Sequence, residues 1–301
     1  MNRTVKIILI PLIVCVFQGC QPEESVIADP IAYKAEMDTW KKERIQRLKS
    51  KTGWLNLAGL LWLEEGENSF GSDSSNRVIF PQKAAPFCGK IILKEDQLTL
   101  MATRESGITF EGNPVTTMEL KDDFSENTTL IDQGDLAWFI VKRGEQYGIR
   151  LRDYKHPNLN KLDSIPSYPI DIEYVVEATL HPFDEPRTME VATPVAGFTE
   201  EYQCPGELHF SLKGEDLVLY PFQSGQGYFL VIADETTGIE TYGAGRFMYS
   251  TPDSTGRIIL DFNKAYNPPC AFTPYATCPM PPRENFLPVA VEAGEKSVHL
   301  F

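Results

Sequence analysis

The sequence is short of histidine, of positive charge and of long apolar runs. Its 301 residues include four histidines, and 28 Lys and Arg face 42 Asp and Glu, a formal charge of −14. Such a chain lacks the basic surface that grips phosphates, so a general nucleic-acid partner is excluded. The histidines, His156, His181, His209 and His299, are scattered. No Gly-x-Ser-x-Gly elbow, His-Glu-x-x-His pair or phosphate loop occurs. The expectation is therefore no metal, no cofactor and no ready-made catalytic motif; catalytic residues stay unassigned. Ile7 to Phe17 is apolar but too short to span a bilayer. With 42% hydrophobic and 11% aromatic residues, wholesale disorder is excluded as well.

The N-terminus has its own pattern. Arg3 and Lys6 precede the apolar run, which ends at Gln18-Gly19-Cys20. This is the order of an export signal. Its Gly-Cys ending resembles a bacterial lipoprotein signal, which implies a cut after residue 19, lipidation of Cys20 and a membrane as partner through that lipid. Residues 1–19 are then the signal and 20–28 an acidic tether. The implied location is the cell envelope, on its periplasmic or outer-surface face. Losing Arg3 and Lys6 leaves 26 basic against 42 acidic residues, or −16.

The mature chain is expected to be mainly β: one helix, then two packed β domains. Asp29-Pro30 opens an amphipathic helix over 29–52, with Tyr33, Met37, Trp40, Arg44 and Leu48 at helical spacing and Gly53 as its stop. Short strands and turns fill 53–155 and predict a β-sandwich scaffold. A polar, proline-containing connector follows. A second antiparallel sandwich or barrel is expected over 165–301. It includes a hairpin across Lys213-Gly214-Glu215-Asp216 and another that pairs Tyr228 to Ala233 with Ile239 to Tyr242.

Gly71-Ser72, Asn76-Arg77-Val78-Ile79 and Gly107 to Val115 resemble a forkhead-associated sandwich. Ser72 stands where that fold's phosphate-reading Arg is expected, and Ala84-Ala85-Pro86-Phe87-Cys88 replaces its Ser-x-x-His. The likeness implies a fold and no phosphopeptide reading.

From Ala265 to Pro282 no residue is charged, and six prolines bar helix and central strand. Tyr266, Phe272, Tyr275, Cys270 and Cys278 make this an ordered loop rather than a linker. Gly245-Arg246-Phe247-Met248-Tyr249 and Leu260 to Pro279, with its Asn-Pro-Pro-Cys core, resemble the bacterial and archaeal family known as domain of unknown function 1684. Trp54-Leu55, Glu284 to Pro288 and Glu292 to Lys296 extend the likeness. It implies no activity.

Any site is expected at this Pro/Cys loop, 265–288. The ligand-binding candidates are Arg246, Asp261, Asn263, Tyr266, Asn267, Tyr275, Glu284 and Asn285. Arg246, Asp261 and Glu284 are expected either to form a network that holds the loop or to clamp a small-molecule or extracellular ligand. Cys270 and Cys278 are a candidate disulfide; a reactive thiol pair, metal ligation and plain buried thiols remain open. Cys88 and Cys204 read as core thiols. The function expected is that of an envelope lipoprotein that binds a ligand or acts as a scaffold. A hydrolase or thiol enzyme at the same loop and a structural subunit of an envelope assembly are the alternatives.

Overall fold

The computed structural model describes residues 26–298 and Leu300. The signal sequence and Cys20 lie outside these residues. Among the described residues the protein is mostly β, 43% strand and 14% helix, with one α-helix ahead of several sheets packed as sandwich-like domains.

The helix α1 runs Pro30–Lys49. Asp29 accepts hydrogen bonds from the N–H groups of Ile31 and Ala32, both at 3.0 Å, and Pro30 sets the first turn. Tyr33, Met37, Arg44 and Leu48 form its buried stripe. A buried arginine in an otherwise apolar stripe already points to a partner across the interface.

Two sheets share one core over residues 57–153. The six-stranded sheet contains Leu57–Trp62, Gln146–Asp153, Leu136–Arg143, Ile131–Gln133, Thr109–Phe110 and Asn113–Pro114 in that spatial order. Along Gln146–Asp153 the side chains alternate: Ile149 and Leu151 enter the core, and Arg150 and Arg152 take the opposite face. The five-stranded sheet includes Gly66–Gly71, Gly89–Lys94 and Gln97–Ala102. Between the sheets, Trp138 meets Phe70 and Phe80 edge-on, with centroids 5.6 and 6.2 Å apart.

The second half is built on a long hairpin, Val175–Ala192 with Thr199–Leu212. Prolines at 182 and 186 are tolerated because the register breaks between Pro182 and Arg187. Glu215–Leu219 and Ile258–Asp261 complete that sheet. Phe222–Ser224, Gly227–Asp234 and Arg246–Ser250 form the next.

One expected hairpin is different. Gly227–Asp234 pairs with Arg246–Ser250, not with residues 239–242. The Asp234 carboxylate accepts from the Thr236 N–H at 2.9 Å and the Thr236 hydroxyl at 2.6 Å, and Thr241 N–H returns to the Thr236 carbonyl. Residues 236–242 are thereby spent on turns, and the strand forms four residues later.

The uncharged loop has one short 3-10 turn, Pro269–Ala271, yet much of it is buried. Phe272 packs with Leu48 of α1, Leu55 and Leu162. The loop is therefore the wedge that joins helix, first sandwich and second half. Gly294 takes φ +77° against it; a Cβ there would sit 2.3 Å from the Ala265 carbonyl oxygen.

Candidate functional site

A cavity of about 590 Å³ opens where these parts meet, a size that suits a small molecule. Three elements supply its walls. Trp40, Arg44 and Arg47 come from one stripe of α1, at spacings of four and three. Arg143 and Arg150 come from the outer face of the six-stranded sheet, with Trp54 just before it. The second half contributes Glu200, Tyr202, Phe229, Phe247, Tyr249 and Lys264, and the uncharged loop adds Tyr266, Pro269, Thr277, Cys278 and Pro279.

The electrostatics of this cavity oppose those of the chain. Five basic side chains line it, Arg44, Arg47, Arg143, Arg150 and Lys264, against one carboxylate, Glu200, which accepts a hydrogen bond from the Tyr202 hydroxyl. Most of the cations are already paired. Arg44 Nε donates to Glu295 at 3.1 Å, Arg143 Nη1 to Asp123 at 2.9 Å, and Lys264 Nζ to Glu36 at 2.7 Å. Arg47 reaches Glu43 at 3.5 Å.

Arg150 is the exception. It is 5% exposed and has no carboxylate partner among the described residues. Its Nη2 lies 3.4 Å from Thr277 Oγ1, an oxygen already taken by Arg143 Nε at 2.9 Å, and its Nε is buried with no hydrogen bond. Its guanidinium lies 5.7 Å from the centroid of the Trp54 ring. Burial, and then the charge of Arg143, hold its pKa down at about 10. Asp123, the ion-pair partner of Arg143, offsets this only in part. A buried, like-charge-flanked guanidinium without an ion pair of its own is costly unless an anion completes it.

Aromatic rings form the other wall. Tyr249 stacks on Phe229 at 4.9 Å and lies 6.5 Å from Tyr266, nearly parallel at 15°. The Arg44 guanidinium covers Tyr266 at 4.5 Å. Tyr266 itself is fixed by two backbone hydrogen bonds with Phe247, 2.8 and 2.9 Å.

Of the ligand-binding candidates named from sequence, Tyr266 lines the cavity and the others do not; of the two loop cysteines, Cys278 lines it. Arg246 is 0% exposed and pairs with Asp234 at 2.7 Å, not with Asp261 or Glu284. It also donates to the carbonyls of Ala293 and Val291. Asp261 accepts from Tyr33 at 2.7 Å and so anchors α1. Glu284 is exposed. The expected Arg246–Asp261–Glu284 convergence is therefore replaced by separate partners. Asn263 bonds both ways with the backbone of Asp171, and Asn285 with that of Tyr220. Asn267 donates to the Lys296 carbonyl, and its own N–H goes to Glu295. These three asparagines act as backbone staples. Tyr275 is half-buried beside Thr273.

Of the alternatives left open for the loop cysteines, the structure has them unbridged. Cys270 and Cys278 are free thiols, each sulfur accepting the other residue's backbone N–H at 3.3 and 3.1 Å. The hydrogen bond with Cys278 holds the Cys270 thiol low, while burial pushes Cys278 up. Cys88 and Cys204 are buried and free. Among the described residues no group of three or more His, Cys, Asp or Glu gathers as a metal site.

Arg143 and Arg150 were not singled out from the sequence, and Arg44 and Trp54 were read there only as a helix-face residue and a motif residue. Arg150 and Arg152 alternate with core residues and look like the wet face of a sheet.

The sequence profile of the family described as "Protein of unknown function (DUF1684)" matches residues 160–296. An uncharacterized protein of Haloarcula marismortui, solved by NMR, is 35% identical over 46% of this chain and 78% of its own, with a TM-score of 0.39. Among curated proteins none matches.

Proposed function

For a chain that belongs, through residues 160–296, to the family described as Protein of unknown function (DUF1684), we propose binding of a small anionic molecule in the cavity beneath α1. The observation that carries this reading is Arg150: a buried guanidinium, unpaired among the described residues, beside a second arginine in a protein of formal charge −14. Desolvated charge–charge contacts of this kind bind oxyanions through short, directional hydrogen bonds. The uncharged loop serves by presenting Thr277 and Tyr266.

An enzyme using the loop is less well supported. The Cys278 thiol at the cavity is held protonated by its burial, Asp261 is engaged by Tyr33 and Lys264, and Glu284 is exposed. The first sandwich is read as a degenerate forkhead-associated scaffold; its Ser72 hydroxyl is spent on the Ala84 carbonyl. We propose an envelope location through lipidated Cys20 on the strength of the N-terminal sequence; Cys20→Ala should then release the protein from the membrane fraction.

The binding test is titration with inorganic phosphate, followed by calorimetry and thermal shift. Wild type should bind, and Arg150→Met should lose the signal. Phosphate binding that survives in Arg150→Met would sink the reading.

A further inference from the structure

The cavity is graded from base to mouth. At the base lie Arg150, Thr277 and Cys278, at 5, 7 and 8% exposure. On the aromatic wall Tyr249 is 57% exposed, although it stacks on Phe229 and runs nearly parallel to Tyr266. An exposed tyrosine is unremarkable alone. One that lines a cavity, held in place by its stacking neighbour, is a ready platform for a flat ring.

We infer that the ligand is a planar aromatic ring bearing an oxyanion, with the anionic group inward at Arg150 and Thr277 and the ring against Tyr249 at the mouth. This rests on the anion reading above and specifies its ligand class. The polarity of the site allows one orientation. A ring at the base would leave Arg150 desolvated and unpaired, which is the more costly arrangement. An anion at the mouth would be screened by water and gain little. Two arginines around one threonine hydroxyl also suit a group with several acceptor oxygens. The aromatic faces suit any flat π-system, so the inference concerns ring shape and not ring identity.

Three probes separate the parts: inorganic phosphate, phenyl phosphate and cyclohexyl phosphate. Phenyl phosphate should bind wild type about tenfold more tightly than cyclohexyl phosphate, the scale of one stacking contact. Tyr249→Leu should remove that preference by bringing phenyl phosphate down to the affinity of cyclohexyl phosphate, with circular dichroism and urea unfolding as the check that the variant is folded. Equal affinity for phenyl and cyclohexyl phosphate in wild type overturns the ring platform while phosphate binding keeps the anion reading alive. Failure of all three probes overturns both.

Discussion

Nη2 of Arg150 lies 3.4 Å from Oγ1 of Thr277, across 127 residues of sequence. One residue belongs to the first sandwich and the other to the proline-rich loop of the second half. Their meeting, with Arg143 on the same oxygen, turns a sheet face and a loop into one basic recess.

Arg150 should cost stability in the absence of ligand. Arg150→Met keeps the length of the side chain and removes the buried charge. We expect it to stabilise the unliganded protein by about 1–4 kcal/mol, measured by urea unfolding. The same variant should lose phosphate binding. A variant less stable than wild type would mean that Arg150 is satisfied internally.

That cost should depend on pH in a defined direction. Folding lowers the Arg150 pKa to about 10, so the folded state binds its proton less well than the unfolded chain. The penalty is complete below pH 10. It fades as pH rises from about 10 toward the ordinary arginine range. The stability gap between Arg150→Met and wild type should therefore be flat from pH 7 to 9 and narrow above 10. Anion binding should weaken over the same rise.

Arg246 should behave oppositely. Its pair with Asp234 has no exposed surface on either side chain, and Arg246→Leu strands the carboxylate. A loss of about 3–5 kcal/mol is expected. Phosphate affinity of the folded fraction should not change, because Arg246 does not reach the cavity. A selective loss of affinity without loss of stability would place it in the site after all.

The two loop thiols should differ in reactivity. Cys270 is half-buried with its pKa held down by the hydrogen bond with Cys278. Cys278, Cys88 and Cys204 are buried and their pKa values are raised by burial. Alkylation of the native reduced protein, read by peptide mass, should mark Cys270 first. Oxidised glutathione should then link Cys270 to Cys278 and add about 2–3 kcal/mol through the closed loop. Faster labelling of Cys278 would show that its burial is not maintained in solution.

The sequence alone determined what depends on neighbours in the chain. Asp29-Pro30 starts the helix and the 3.6-residue spacing selects its buried stripe, because capping and periodicity are local. The turn at Lys213-Gly214 and the order of the uncharged loop were legible for the same reason. The second hairpin was misread because the Asp234 carboxylate competes for the turn, and a side chain's choice of partner is not written in β-propensity.

The site itself was decided by tertiary structure. Arg150 and Arg152 carry the alternation of a solvated face, and only tertiary packing buries them, Arg150 beside the loop's Thr277 and Arg152 on Gly53 and Asn56. Arg246 looked like a ligand clamp until the fold supplied Asp234 and closed over both. Whether an arginine is a surface charge, an internal tie or an anion receptor depends on the dielectric around it and on who shares its hydrogen bonds. Those are properties of the packed molecule, set for Arg150 by Thr277, 127 positions away, and for Arg246 by Asp234, 12 positions away.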